Sequence, residues 1–179
     1  PMPDLNTRLA PIKLLVLDVD GVLTDGRLYF GVEGEVLKTF NTLDGHGIKM
    51  LQSTGVDVAI ITGRNSPAVM RRASDLGIKH VYSGREDKHK ALQELWLNTG
   101  HSAAQTTFMG DDWPDLLAMS AAGLAATVPN ACAEVLKRAH WCSERGGGEG
   151  AVRELCELIM TAQGTYKNAL SPYIQGYHE

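Results

Sequence analysis

Short apolar runs alternate with amphipathic stretches along most of the chain. Lys13 to Asp18 reads KLLVLD, an apolar run closed by a carboxylate, which suits a strand covered on both faces. Val56 to Thr62 (VDVAIIT), His80 to Ser83, Thr106 to Met109 (TTFM) and Leu124 to Val128 (LAATV) follow the same pattern. The segments between them carry helix signals. Asp44 to Thr54 places Ile48 and Leu51 three apart and stops at Gly55, while Ser66-Pro67 is an N-cap followed by proline at the first helical position, with Gly77 as the stop. Glu86 to Asn98, Trp113 to Ala122, Ala131 to Ala139 and Ala151 to Ala162 read as further helices, the last with Val152, Leu155, Cys156 and Ile159 on one face. Strands alternating with helices predict right-handed crossovers and a parallel sheet covered on both sides, an α/β fold whose ligands sit at the carboxyl ends of the strands. One stretch departs from the alternation: Leu28 to Phe40 reads as a β-hairpin turning at Gly31-Val32-Glu33-Gly34. The final stretch, 164–179, is polar, with a proline and tyrosines, and is expected to be a loosely held tail.

Composition narrows the class without naming a function. With 179 residues the chain is expected to form one domain over 1–179, and 44% hydrophobic residues supply a core. A formal charge of −4 from 17 basic and 21 acidic residues argues against a disordered chain and against a nucleic-acid partner. No apolar run approaches the roughly 20 residues that cross a bilayer, and the first ten residues hold no apolar core of a secretory signal. Cys132, Cys142 and Cys156 are an odd set without CxxC spacing, which reads as reduced thiols in a cytoplasmic protein.

The chemistry is concentrated at the ends of the predicted strands. Asp18-Val19-Asp20-Gly21 puts two carboxylates, one residue apart, beyond a buried strand, a costly placement unless a metal, a hydrogen-bond network or a reaction uses it; a turn that employs Asp for its own hydrogen bonds is the plain alternative. Thr62 ends a strand before Gly63 and Arg64, where a hydroxyl commonly caps the next helix. Lys88 opens a predicted helix, where a solvated charge is the ordinary outcome. Gly110-Asp111-Asp112-Trp113-Pro114-Asp115 sets three carboxylates around a strand end and a helix start, and the helix dipole favours at least one of them for structure alone. His46 falls near these segments and reads as an exposed loop histidine. The joint order, DxDG, strand-terminal Thr, Lys, then GDDxxD, is what singles them out. The chain has no GxxxxGK[ST] phosphate loop, no GxSxG elbow and no HExxH.

In that order and at those positions the sequence resembles the haloacid dehalogenase (HAD) superfamily of phosphotransferases, over Lys13 to about Ala162. The resemblance implies a Rossmann-like core and an aspartyl-phosphate mechanism: Asp18 as nucleophile, Asp20 as acid and then base, Thr62 and Lys88 on the phosphoryl group. It also implies Mg²⁺ held by Asp18, the Asp20 carbonyl and Asp111, with Asp112 and Asp115 orienting that shell or Lys88. Many relatives insert a cap domain between motifs. Here 42 positions separate Asp20 from Thr62 and 26 separate Thr62 from Lys88, too few for one. The resemblance is therefore to the capless branch, and it implies a homo-oligomer, a tetramer, in which the hairpin and C-terminal tail sit at subunit interfaces and cover a neighbour's site.

Within that branch, DVDGVLTDG at Asp18 to Gly26, KTFNTLDGHGIK at Lys38 to Lys49, IITGR to Arg64, Arg72 and GEGAVREL at Gly148 to Leu155 resemble phosphatases acting on an eight-carbon 3-deoxy keto sugar acid phosphate of lipopolysaccharide synthesis. The resemblance implies that Asp20, Asn41, Thr42, Leu43, Asp44, Gly45, Lys49, Arg64, Arg72 and Lys88 line the substrate site. An arginine fork suits the sugar's carboxylate, although Lys49 and Arg72 taken singly read as surface charges. Related enzymes for nine-carbon sialic-acid-type phosphates are the nearest alternative; they tend to carry an acidic residue where Arg64 stands. Glu149 departs from the basic residue some relatives have in the glycine-rich segment, and Gly146-Gly147-Gly148 reads equally as a flexible connector. From another class, a phospho-accepting receiver module shares the Asp, Thr and Lys, but has no use for an acid at Asp20.

Overall fold

The computed structural model describes residues 2–178; Pro1 and Glu179, at the ends of the expected domain and tail, lie outside them. Strands β1 (Leu14–Leu17), β4 (Asp57–Ile61), β5 (His80–Tyr82), β6 (Thr106–Met109), β7 (Leu124–Thr127) and β8 (Trp141–Cys142) form a six-stranded sheet in the order β5-β4-β1-β6-β7-β8, every pair parallel. Strands β2 (Tyr29–Gly31) and β3 (Gly34–Leu37) make the expected antiparallel hairpin outside it. β8, only two residues long, was too short to read from sequence.

Alternation along each strand sorts the core into two layers. Leu15 and Leu17 of β1, Val58 and Ile60 of β4, and Leu124 and Ala126 of β7 pack in one layer with helices α2 (Thr42–Ser53), α3 (Pro67–Asp75) and α7 (Ala151–Ala162), while Leu14, Val16, Ala59, Ile61 and Ala125 pack with α4 (Lys88–Thr99), α5 (Leu116–Ala121) and α6 (Ala133–Arg138). On α7 the four residues expected on one face, Val152, Leu155, Cys156 and Ile159, are all fully buried. Each such aliphatic side chain contributes about 1.5–3 kcal/mol of burial free energy.

Two helices were also unforeseen. Helix α1 (Leu5–Leu9) is capped by Asp4, whose Oδ1 accepts from Thr7 N at 2.7 Å, and it buries Leu9. The stretch expected to be a loose tail forms helix α8 (Tyr166–Leu170) and a 3₁₀ turn at Ser171–Tyr173; Tyr166 and Ala169 pack on the core, and the Tyr173 ring meets His46 edge-on at 5.3 Å. His46 is thus a half-buried residue of α2, not an exposed loop residue.

β1 lies between β4 and β6, so the chain leaves it in opposite directions on its two sides. This topological switch point opens a crevice beyond the carboxyl ends of these strands.

Candidate active site

Asp18 directly follows β1, Thr62 follows β4, and Asp111 follows β6 after Gly110. All three line one cavity of about 690 Å³ together with Asp20, Arg64, Lys88, Asp112 and Asp115.

The loop after β1 is held by local hydrogen bonds. Val22, Leu23 and Thr24 donate their N–H groups to Val19 O, and Thr24 Oγ1 accepts from Gly21 N and Gly26 N. Gly21 has φ +90°, and a Cβ there would lie 1.9 Å from Asp111 Oδ2, so no larger residue allows these loops to meet. The glycine-rich segment, read as a possible connector, is packed from below. Asn130 donates Nδ2 to Gly21 O at 3.0 Å and accepts from Gly147 N at 2.8 Å, Gly148 N donates to Val22 O, and a Cβ at Gly147 would sit 1.9 Å from Gly21 O. Asn130 carries no motif signature, and only its contacts reveal it. Glu149 is exposed at the rim of this packing.

Asp18 is 6% exposed, and its Oδ1 accepts from Lys88 Nζ at 2.9 Å and from Val19 N at 2.8 Å. Lys88 also donates to Asp115 Oδ1 at 2.7 Å; Asp115 Oδ2 accepts from Asp111 N and Asp112 N. Both Asp115 oxygens are therefore engaged in aiming Lys88 and shaping the Asp111 loop. Asp112 accepts from Trp113 N at 2.8 Å and caps the turn that follows. Oxygen atoms of Asp18, Asp111 and Asp115 lie within 4.8 Å of one another. Burial and the nearby Asp115 charge hold the Asp18 carboxyl well above the usual carboxylate range, and burial raises Asp111 to about 6, with Asp115 adding to the rise. Lys88 moves the other way: burial disfavours its charge, but Asp18 and Asp115 raise it above the ordinary lysine value.

This electrostatic imbalance tests whether a cation belongs here. Three buried or half-buried carboxyl groups share a single ammonium, and the raised Asp18 and Asp111 carboxyls show that it does not offset them fully. The donors are all oxygen. A hard divalent cation such as Mg²⁺ fits both the charge and the chemistry, with Asp18 and Asp111 as its carboxylates.

The expected substrate residues divide into two groups. Asp20, Arg64 and Lys88 line the cavity. Asn41, Thr42, Leu43, Asp44, Gly45, Lys49 and Arg72 do not; they lie on or against α2, most of them at its start. Asn41 caps α2, with Oδ1 accepting from Leu43 N at 2.8 Å and Nδ2 donating to Gly148 O. Thr42, Leu43 and Lys49 face solvent. Asp44 is 1% exposed and accepts from Arg153 N at 2.9 Å at the start of α7; burial raises it to about 6, against the lowering by the Arg153 and Val152 N–H groups. It caps the start of α7 and is not among the residues that line the cavity. Arg72 holds its guanidinium 5.9 Å from the Phe40 ring centre and 3.5 Å from Asn41 O, tight against Gly45.

Lys38, not singled out from the sequence, points its ammonium into the site. It donates to Asp20 Oδ1 at 2.6 Å and pairs with Glu35 Oε2 at 2.8 Å, with its own side chain 1% exposed. A lysine just past a hairpin strand reads as solvated, and only the docking of the hairpin on the β1 loop gives it this place.

Parallel topology, an aspartate pair at the first strand end, a strand-terminal threonine, a buried lysine and the closing acidic loop define a capless hydrolase of the HAD superfamily. No protein-family model matches the chain. Among known proteins, it is 44% identical to the 3-deoxy-D-manno-octulosonate 8-phosphate phosphatase of Yersinia pestis, over 93% of this chain and 89% of that one. It superposes with a TM-score of 0.94 and 51% identity on a probable YrbI family phosphatase from Pseudomonas syringae, covering 97% of this chain and 99% of the other. The corresponding phosphatase from Moraxella catarrhalis, solved with magnesium, phosphate and 3-deoxy-D-manno-octulosonate (KDO), gives a TM-score of 0.91 at 40% identity, covering 94% and 97%. The chain belongs to the 3-deoxy-D-manno-octulosonate 8-phosphate phosphatase family.

Proposed function

We infer that this protein is a Mg²⁺-dependent phosphomonoesterase that hydrolyses KDO 8-phosphate to KDO and phosphate, in lipopolysaccharide biosynthesis. The observation that carries the reading is the Lys88 ammonium held between Asp18 and Asp115 beside Asp111, a geometry that readies one carboxylate for a phosphate ester. Mg²⁺ bound by Asp18, the Asp20 carbonyl and Asp111 supplies positive charge that draws the phosphoryl oxygens in against the surrounding carboxylates.

In the first half-reaction an Asp18 oxygen attacks phosphorus. A carboxylate O–P bond forms, the ester O–P bond breaks, and its electron pair leaves on the sugar oxygen, which takes the proton of Asp20. In the second, Asp20, now a carboxylate, takes a proton from water as the water oxygen attacks phosphorus. The bond to Asp18 breaks, inorganic phosphate leaves, and both side chains return to their starting states. Thr62, buried at the end of β4, donates its hydroxyl to a phosphoryl oxygen, and Lys88 offsets the charge on the transferring group. Arg64, exposed at the cavity mouth, offers its fork to the sugar's carboxylate.

The active unit is a homo-oligomer, a tetramer, with hairpins and C-terminal segments between subunits. This is supported by the exposed apolar side chains Leu28, Phe30, Val32, Val36 and Leu37 on the hairpin, and by the solvent-facing Thr42, Leu43 and Lys49, none of which lines its own chain's cavity. A second copy brings such residues to a cavity that lacks a cap. The three cysteines are unpaired, which suits the reducing cytoplasm, and among the described residues no helix is long and apolar enough to cross a membrane.

Phosphate release from KDO 8-phosphate, with Mg²⁺ and with chelator, tests the reading alongside a nine-carbon sialic-acid-type phosphate. Turnover of the eight-carbon substrate, abolished by chelator and reduced more than about 10⁴-fold in Asp18→Asn, is expected. Preference for the nine-carbon substrate overturns the specificity. A long-lived phosphoprotein without turnover overturns the activity in favour of a receiver-like module.

A further inference from the structure

The hairpin touches the loops after β1 and β4, through three contacts with different partners. Lys38 reaches Asp20 at 2.6 Å, Glu35 Oε1 accepts from Ser66 Oγ at 2.7 Å, and Phe30 lies under the Arg64 guanidinium at 5.6 Å. The first is the unusual one. Burying a lysine is costly, and Lys38 is compensated by two carboxylates, Asp20 on one side and Glu35 on the other. Glu35 is fixed in turn by Ser66, next to the start of α3.

A hairpin can be stapled to a domain by any ion pair. This one ends on the carboxylate that must hand a proton to a leaving group and later take one from water. A carboxylate has two oxygens and rotates freely unless one is held. With Oδ1 of Asp20 taken by Lys38, the other oxygen is left to carry the proton, at a fixed angle to the cavity. Glu35 shares the ammonium, so Lys38 orients Asp20 without claiming it as an exclusive ion-pair partner. Fixed orientation of an acid affects the rate of the step in which the proton moves, and affects substrate binding little.

We propose that Lys38 is a positioning residue for the acid/base Asp20, pinning one carboxylate oxygen so that the other serves as proton carrier, with Glu35 and Ser66 bracing it. The proposal rests on the phosphomonoesterase reading above. It makes the acid step depend on the docked hairpin, since the pin and its brace belong to the hairpin strand and its exit.

The test compares leaving groups. A sugar's primary alkoxide needs its proton as the P–O bond breaks, whereas p-nitrophenolate departs without one. In Lys38→Met, kcat on KDO 8-phosphate is expected to fall about 30-fold or more and kcat on p-nitrophenyl phosphate no more than about threefold, with KM for the sugar phosphate and the Mg²⁺ requirement little changed. Lys38→Arg retains the buried charge and hence the fold, and is expected to recover most of the lost turnover while keeping the same leaving-group selectivity. Equal losses on both substrates in Lys38→Met, an unchanged kcat on the sugar phosphate in Lys38→Met, or a loss confined to KM overturns the assignment. Wild-type enzyme that hydrolyses p-nitrophenyl phosphate but not KDO 8-phosphate overturns the substrate reading alone, and the same ratio is then measured with whichever primary sugar phosphate it does hydrolyse.

Discussion

The carboxylate cluster and the hairpin break the ordinary rule of burial in opposite senses. Asp18, Lys88 and Asp115 are charged and buried; Phe30, Val32 and Val36 are apolar and exposed. Neither arrangement helps the isolated chain to fold. The first accumulates like charge in a low-dielectric crevice, which a bound cation relieves; the second leaves apolar surface in water, which contact with another chain would cover. One region calls for a small ligand, and the other presents apolar surface suited to a protein contact. They are physically joined through Lys38, which sits on the hairpin's exit and holds Asp20.

The sharpest way to break this comparison is to remove the one cation that tempers the cluster. Lys88→Met leaves Asp18, Asp111 and Asp115 facing one another, and is expected to destabilise the metal-free protein by about 3–5 kcal/mol, measured by urea unfolding, with added Mg²⁺ recovering part of the loss. Unchanged metal-free stability would mean the cluster is not electrostatically strained. The hairpin predicts the reverse pattern. Val32→Asp with Val36→Asp is expected to leave protomer stability within about 0.5 kcal/mol, because both side chains already face solvent, while sedimentation shows a smaller assembly and turnover falls about tenfold. Retained mass in sedimentation would put the interface elsewhere.

The smallest effect separates a buried carboxylate with a structural task from those in the site. Asp44 has a folded pKa near 6, above the ordinary 3.8, so the folded state holds its proton more tightly than the unfolded chain does. Its contribution to stability is therefore favourable at low pH and declines as pH rises from about 4 through 6. Asp44→Asn keeps the acceptor for Arg153 N and has no charge to bury. It is expected to match wild type near pH 4 and to exceed it by about 1–2 kcal/mol at pH 8, read from denaturant midpoints, with and without Mg²⁺ alike. A gap that Mg²⁺ closes would link Asp44 to the metal cluster instead.

Most of the residues that line the cavity were legible in the chain because strand ends announce themselves. A buried parallel strand is a continuous apolar run, so the first polar residue after it, Asp18, Thr62 or Asp111, stands at the sheet's ligand-binding edge whatever the rest of the chain does. Lys88 and Asp115 followed from the order of the motifs. Helix α7 was legible to the residue, since its apolar face repeats at helical spacing between Gly150 and the polar Gln163. The short β8, helix α1 and helix α8 were not, because two to five residues carry too little periodicity to read.

What only the tertiary structure decided is which polar side chains share a neighbour. Asp44 and Asp20 look alike in sequence, each an aspartate followed by glycine, yet one is sealed under α7 as a helix cap and the other opens on the cavity. Lys38 and Lys49 end the same sequence segment, and packing buries one against the Asp20 carboxylate while leaving the other in water. Asn130 is an unremarkable loop asparagine until Gly21 and Gly147 approach it from distant parts of the chain. The chain by itself determined the strands, their order of chemistry and the lack of a cap, because those depend on local patterns of apolar and polar residues. Partners for individual charges depend on long-range approach, which hydrophobic burial drives and side-chain identity alone does not encode.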